Sequence, residues 1–256
     1  VNGEGTARTG LTLGAEDYTG AVTLTARWTA ERYAITYEDM DGAQYGDKHP
    51  DWYTYDTDAV ISDPTKAGYT FLGWLVNGES TARKDLTLRK EAYLDNITLT
   101  ATWKQNPYTV TWNVNEGDEL TGEGYTVEAF YGNPITAPSD PTRRGYTFDG
   151  WYMADGTRFI DSETTMPDHS VTFTAKWTRN TYTITYVLDG GTNVSGNPAQ
   201  YTVETGKIKL VAPTKTGYRF DGWYSDAERT NRVTEIAADS TGNVTLYAKW
   251  TIKQYT

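Results

Sequence analysis

The chain has no cysteine, only three methionines and only two histidines among its 256 residues. Without cysteine there is no disulfide framework and no thiolate-ligated zinc. His49 and His169 occupy unrelated places in the sequence, and neither has a second histidine nearby. That spacing offers no metal site, nor a histidine for a Ser–His–Asp arrangement. No apolar run approaches the ~20 residues that a membrane-spanning helix needs. Basic residues are in deficit, 23 against 34 acidic, for a net charge of −11. Phosphate backbones and anionic lipid repel such a chain, so neither nucleic acid nor direct membrane insertion is expected. Gly190-Gly191 lacks the lysine and the following helix of a phosphate loop and reads as a hairpin-type loop.

Aromatic residues, by contrast, are plentiful: 20 Tyr, 9 Trp and 6 Phe. Most fall at equivalent places in a repeated phrase, Pro-Thr-Lys/Arg-x-Gly-Tyr-x-Phe-x-Gly-Trp. It runs from Pro64 to Trp74, from Pro141 to Trp151 and from Pro213 to Trp223. A second phrase ends in Ala-x-Trp and closes each unit at Trp28, Trp103, Trp177 and Trp250. So constant a period means one supersecondary unit copied in tandem. Residues 1–28 align without a gap on 76–103, which makes them the C-terminal part of a preceding repeat. Three modules follow, 29–103, 104–177 and 178–250, and 251–256 begin another repeat or a linker. The segment is therefore expected to be cut from a longer array. Modules of about 75 residues bury only roughly 60% of their unfolded surface and need large aromatic rings to hold a core.

Each module opens with an alternating strand: Tyr33 to Tyr37, Tyr108 to Trp112, Tyr182 to Tyr186. Tyr53, Tyr125 and Tyr201 mark a second strand, the hairpin partner of the first. In the signature phrase, Tyr146 and Phe148 share one strand face, while Trp151 has the parity of Asp149 on the polar face. A bulge at the glycine before Trp would return the indole to the core. The segments Asp85–Lys90 and Val233–Ala237 predict either a brief helical turn or a strand, whereas the closing strands are unambiguous. Four residues without glycine link each closing Trp to the next opening Tyr (Thr29–Arg32, Lys104–Pro107, Thr178–Thr181, Thr251–Gln254). Equal linkers predict equal module-to-module geometry and an elongated rod. The fold class expected is α+β to mostly β.

These phrases, in this order and spacing over nearly the whole chain, resemble the Listeria–Bacteroides repeat, found as the B repeat of Listeria internalins. The resemblance implies tandem β-grasp-like (ubiquitin-like) modules in secreted or wall-anchored surface proteins of Gram-positive bacteria. It brings no catalytic residues. One departure is the loop before the signature proline, 16 residues from Tyr125 to Pro141 against 11 from Tyr53 to Pro64 and 12 from Tyr201 to Pro213.

The repeated residues read as core: Gly68, Tyr69, Phe71, Gly73, Trp74 and Trp103 in the first module, and Gly145, Tyr146, Phe148, Gly150, Trp151 and Trp177 in the second. The third has Gly217, Tyr218, Phe220, Gly222, Trp223 and Trp250. Only unrepeated aromatics are free for binding, which singles out Trp52 with Tyr55, and Phe130 with Tyr131. Asp39-x-Asp41-Gly42 and Asp56-x-Asp58 hint at calcium but lack the longer run of oxygens and the distal Glu. Asn96, Asn193 and Asn243 fit the N-glycosylation pattern, a coincidence of strand composition in a bacterial chain. No catalysis, metal or cofactor is expected. The expected function is a monomeric stalk on the bacterial surface, projecting an outer domain, with neighbouring repeats as its partners. The alternative is a multivalent adhesin whose repeats each bind host glycan or protein weakly.

Overall fold

The computed structural model describes residues 5–118 and 126–254, in two compact units, 1–106 and 107–256. In the first unit, β1 (Arg32–Glu38), β2 (Trp52–Thr54), β3 (Tyr69–Val76) and β4 (Ile97–Gln105) form one sheet in the order β2-β1-β4-β3. The β1–β2 and β3–β4 pairs are antiparallel, while β1 and β4 run parallel at the centre. The second unit repeats the scheme twice. Its first sheet holds β5 (Pro107–Asn113), β6 (Thr126–Phe130), β7 (Tyr146–Tyr152) and β8 (Val171–Arg179). Its second holds β9 (Thr181–Val187), β10 (Gln200–Thr202), β11 (Tyr218–Tyr224) and β12 (Val244–Ile252). A parallel central pair needs a long crossover, which the loops and signature strand between first and last strands supply.

Each repeat carries its own core. Trp74 with Leu99 and Ala101, Trp151 with Phe173 and Ala175, and Trp223 with Leu246 and Ala248 are all buried. The signature strand reaches that core through a bulge: pairing with the closing strand shifts between Phe71 and Gly73, Phe148 and Gly150, and Phe220 and Gly222. The three glycines have φ of 140°, 126° and 146°, which side-chain-bearing residues rarely adopt. One extra residue (Leu72, Asp149, Asp221) is left on the outer side, and the indole turns inward. The signature cation also has a place. Lys66, Arg143 and Lys215 lie over the rings of Tyr69, Tyr146 and Tyr218 at 4.6, 3.9 and 4.3 Å, and these tyrosines, expected in the core, are half-buried and belong to none of the three cores. The closing indoles donate their N–H groups to the carbonyls of Asp39, Val114 and Leu188.

Five points correct or narrow the expectations. First, among the described residues there is no helix. Thr87–Leu88 pairs with Ala59–Val60, Arg232–Val233 with Trp223–Tyr224, and Glu235–Ile236 with Ile208–Lys209. Leu86 and Leu88 are both buried, a period of two that suits a strand and not a helical turn. Second, the four-residue linkers are largely strand. β4, β8 and β12 run two residues past their tryptophans, and only Asn106 or Asn180 separates β4 from β5 and β8 from β9. The amide N–H groups of Asn106, Asn180 and Lys253 donate to the carbonyls of Gly68, Gly145 and Gly217, each at 2.9 Å. Third, no strand forms in residues 5–31, and Trp28 is 92% exposed. A closing strand is built by pairing with an opening strand and a signature strand, and these residues include neither.

Fourth, Tyr125 lies outside the described residues, and the hairpin register gives its expected place to another residue. Tyr33 faces Tyr53 and Tyr182 faces Tyr201, but Tyr108 faces Ala129. Counted from Ala129, Pro141 is 12 residues on, as Pro213 is from Tyr201, so the apparent loop departure disappears. Fifth, two of the glycosylation-like asparagines act within the sheet. Asn96 and Asn243 accept the backbone N–H of Ala34 and Thr183, as Ser170 does for Thr109. Each pins the start of a closing strand to the opening strand beside it.

Candidate functional site

A shallow, open cleft lies in the first unit, on the outer edge of β2. Its volume is about 540 Å³, within the usual range of small-ligand clefts. Trp52, Tyr53, Lys48, His49, Thr57 and Asp58 are among the residues that line it. Trp52 alternates with Tyr53 on β2, so burying Tyr53 in the core turns Trp52 outward, 45% exposed. The guanidinium of Arg32, on the neighbouring strand, stacks on the indole at 3.8 Å.

The loop below is fixed by several contacts. The Tyr45 and His49 rings stack at 4.9 Å, and His49 Nδ1 lies 2.9 Å from the Gly46 carbonyl. The partly buried hydroxyl of Tyr37 donates to the Pro50 carbonyl at 3.0 Å. Lys48 N–H donates to Ser62 Oγ, and Ser62 N–H returns to the Lys48 carbonyl. Such a loop presents its side chains without having to order first.

Of the cleft's two carboxylates, Asp58 is already engaged. It accepts the Lys90 N–H at 2.7 Å and pairs with Arg89 at 3.1 Å. Those contacts, the Lys90 N–H first, hold its carboxyl below the usual carboxylate range, against a smaller opposing effect of desolvation. A carboxylate so held has no proton to give near neutrality and stands as an acceptor. Among the described residues no cluster of three metal-ligating side chains occurs. The cleft combines one aromatic face with a few donors and acceptors.

Trp52 is not joined there by the other sequence candidates. Tyr55 stands two residues beyond Tyr53, 43% exposed, and is not among the lining residues. Phe130 ends β6, opposite Pro107, and Tyr131 follows it in a turn of the second unit. By hairpin register, Trp52 corresponds to Glu128 and Gln200, so the indole is a feature of one repeat only. The same register makes Tyr55, Tyr131 and Val203 equivalent, which separates Tyr55 from Trp52 in role. Sequence reading also missed a repeated arginine behind the bulge. The Nε atoms of Arg158 and Arg232 would lie 3.0 and 2.7 Å from a Cβ placed on Gly150 and Gly222, and the Arg83 backbone fills that space at Gly73. The signal was present, since arginine recurs eight to ten residues after each bulge glycine.

The family model of the Listeria-Bacteroides repeat domain matches residues 33–102, 108–176 and 182–249. The chain belongs to the Listeria-Bacteroides repeat family. The three matched segments coincide with the three cores, each running from the opening Tyr to the closing strand. Among its relatives, a protein of Evansella cellulosilytica named as a Gly-rich membrane protein is 34% identical over 244 residues, covering 93% of this chain and 26% of the relative. A second protein of that organism, named as a membrane protein, is 32% identical over 241 residues, covering 91% and 34%. Internalin H of Listeria monocytogenes is 33% identical over 186 residues, covering 66% and 33%. The chain thus spans about a quarter to a third of the curated relatives it matches. In each of them the matching region is part of a longer protein.

Proposed function

We propose that this chain is a non-catalytic spacer in a bacterial surface protein, a run of repeats that holds a functional domain away from the cell. What carries this reading is where the residues of the repeated phrase go. Its Phe and Trp pack in the core, its glycine forms the bulge, and its Tyr, half-buried outside the core, lies under its own cation, so the phrase leaves no aromatic ring free for a small ligand. The relatives' names, membrane protein and internalin, support a surface location. We read each module as β-grasp-like, since an opening hairpin and a closing antiparallel pair flank a parallel central pair. Repeats of one length on short junctions add reach in equal steps, and net negative charge keeps neighbouring copies apart. Small-angle scattering from the chain tests the spacer reading through its radius of gyration.

The Trp52 cleft favours a second reading, contact with a neutral glycan. An exposed indole offers an apolar face to a sugar ring, and Lys48, Thr57, Asp47 and Asp58 supply donors and acceptors around it. Because Glu128 and Gln200 replace Trp52 elsewhere, this contact is single and gains nothing by avidity across the repeats. On a glycan array the unmodified chain is expected to give a signal that Trp52→Ala reduces roughly tenfold or more, a loss of about 1.4 kcal/mol or greater. Equal signals from the two chains, or no signal from the unmodified one, contradict the reading.

A further inference from the structure

Within the second unit, the contact between successive repeats is made by a small set of residues. The turn carrying Gly145 and Tyr146 meets Val203 and Glu204, just beyond β10 of the next repeat. A Cβ built on Gly145 would stand 2.5 Å from the Cβ of Val203, so only glycine lets the two segments approach so closely. Tyr146 donates its hydroxyl to Glu204, and Arg179, at the end of β8, pairs with the same carboxylate. One side of the junction is therefore a Gly–Tyr turn with the end of a closing strand. The other is the two residues that follow the hairpin strand.

Both sides occur again among the described residues. The turn side recurs at Gly217 and Tyr218 with Ile252. Gly217 and Gly145 share a φ of 77°, and the Lys253 N–H holds the Gly217 carbonyl as Asn180 holds that of Gly145. Yet nothing lies within 4 Å of a Cβ on Gly217, and Ile252 is 63% exposed. The receiving side recurs at Tyr55 and Asp56, placed after Tyr53 as Val203 and Glu204 are after Tyr201. The acid is kept, and the valine becomes a larger apolar ring that is exposed.

We propose that Tyr55 and Asp56 are a docking face for the Gly–Tyr turn of another repeat of this family, and that between free chains the occupant is the Gly217–Tyr218 end of a second copy. The contact is head-to-tail and does not close on itself, the geometry that propagates along an array. Covalent tandem linkage raises the local concentration of the turn, so a contact too weak to join free chains at dilution orders neighbouring repeats in series. The junction geometry alone supports this docking, independently of the spacer reading. Tyr55 then belongs to the array, and Trp52 is the residue open to a ligand.

The absence of cysteine makes the test direct. A chain carrying Asp56→Cys is mixed at high concentration with one carrying Ile252→Cys, the places equivalent to the paired Glu204 and Arg179, and treated with a short bis-maleimide. A mixed cross-linked dimer is expected in several-fold higher yield than from Trp52→Cys with Ile252→Cys. The double variant Arg179→Cys/Glu204→Cys, expected to cross-link within one chain, checks the parent contact. Equal yields from Asp56→Cys and Trp52→Cys overturn the proposal, and so does failure of the internal pair to cross-link. Sedimentation of cysteine-free chains avoids any effect of the new thiols on folding. The unmodified chain is expected to self-associate weakly at millimolar concentration and Tyr55→Arg not to, whereas identical behaviour overturns the proposal.

Discussion

Replacing Gly73 by alanine is expected to unfold the first repeat, while the same change at Gly222 is tolerated better. A methyl group on Gly73 would meet backbone atoms of Arg83 and Ala82, with contacts of 2.6, 2.8 and 2.9 Å. Those atoms are held, because Trp74 and Arg83 exchange both of their backbone hydrogen bonds. The substituted residue would also keep a φ of 140°. Strain of this kind costs about 1–3 kcal/mol and overpacking a further ~1–3, so Gly73→Ala should destabilise by roughly 2–6 kcal/mol. That is a large share of what a module this size possesses. At Gly222 the nearest atoms belong to the Arg232 guanidinium, which can swing aside where backbone cannot. Mainly the φ strain is left there, about 1–3 kcal/mol. The readout is the indole N–H resonances of each repeat. Gly73→Ala should remove the native signals of Trp74 and Trp103 and leave those of Trp223 and Trp250 in place. Loss of all four signals together, or of none, would contradict the account.

Alkaline pH is expected to unfold the first and third repeats before the second. Tyr37 and Tyr186 donate their hydroxyls to the carbonyls of Pro50 and Pro198, and the buried Tyr53 and Tyr201 donate theirs to Asp95 and Gly242. Burial is the main cause that pushes all four phenols above the usual tyrosine range. A phenolate in these places would have no proton to donate and would lose its hydration. The sign follows from linkage. Below pH ~10 both the folded and unfolded states keep the protons, and the hydroxyl contacts are intact. Above it the unfolded chain releases protons that the folded chain retains, so stability falls as pH rises. Each such phenol then raises the unfolded-to-folded ratio by up to about tenfold per pH unit. The second repeat has Trp112 and Ala129 at these two places and lacks the effect. Denaturant midpoints followed by the same indole signals should drop between pH ~9 and ~11 for the first and third repeats. Tyr37→Phe should flatten that dependence in the first repeat, at a cost near neutrality of about 1 kcal/mol for the lost hydrogen bond.

Much of the fold was legible because the phrase contains a contradiction. Trp151 has the parity of Asp149, and only a bulge at the glycine between them puts an indole and a carboxylate on their proper sides. The closing strands were equally plain, with Val171, Phe173 and Ala175 alternating against Thr172 and Thr174. The second strand of the middle repeat was not legible, because Tyr125 matches its counterparts by letter while the hydrogen-bond register selects Ala129. A short strand gains its identity from its partner, and a single sequence does not show the pairing. The segment from Asp85 to Lys90 reads as turn or strand for a related reason, since its two leucines suit either structure until Ala59–Val60 pairs with it.

The candidate site was half legible. That Trp52 is unrepeated and outward-facing could be read from the alternation with Tyr53. The grouping of Tyr55 with it could not survive, because the comparison that matters runs across repeats, from Tyr55 to Val203, and Val203 is not aromatic. The role of Glu204 was hidden for the same reason: its partners, Tyr146 and Arg179, belong to the preceding repeat.

Small-angle scattering from the unmodified chain tests the central claim, that this is a spacer made of separately cored repeats in series. A single compact body of 256 residues would have a radius of gyration of about 18 Å. The spacer reading predicts a clearly larger value, with the profile of an elongated particle that keeps its dimensions between low and moderate salt. A radius near ~18 Å, or the profile of a flexible chain, would contradict it.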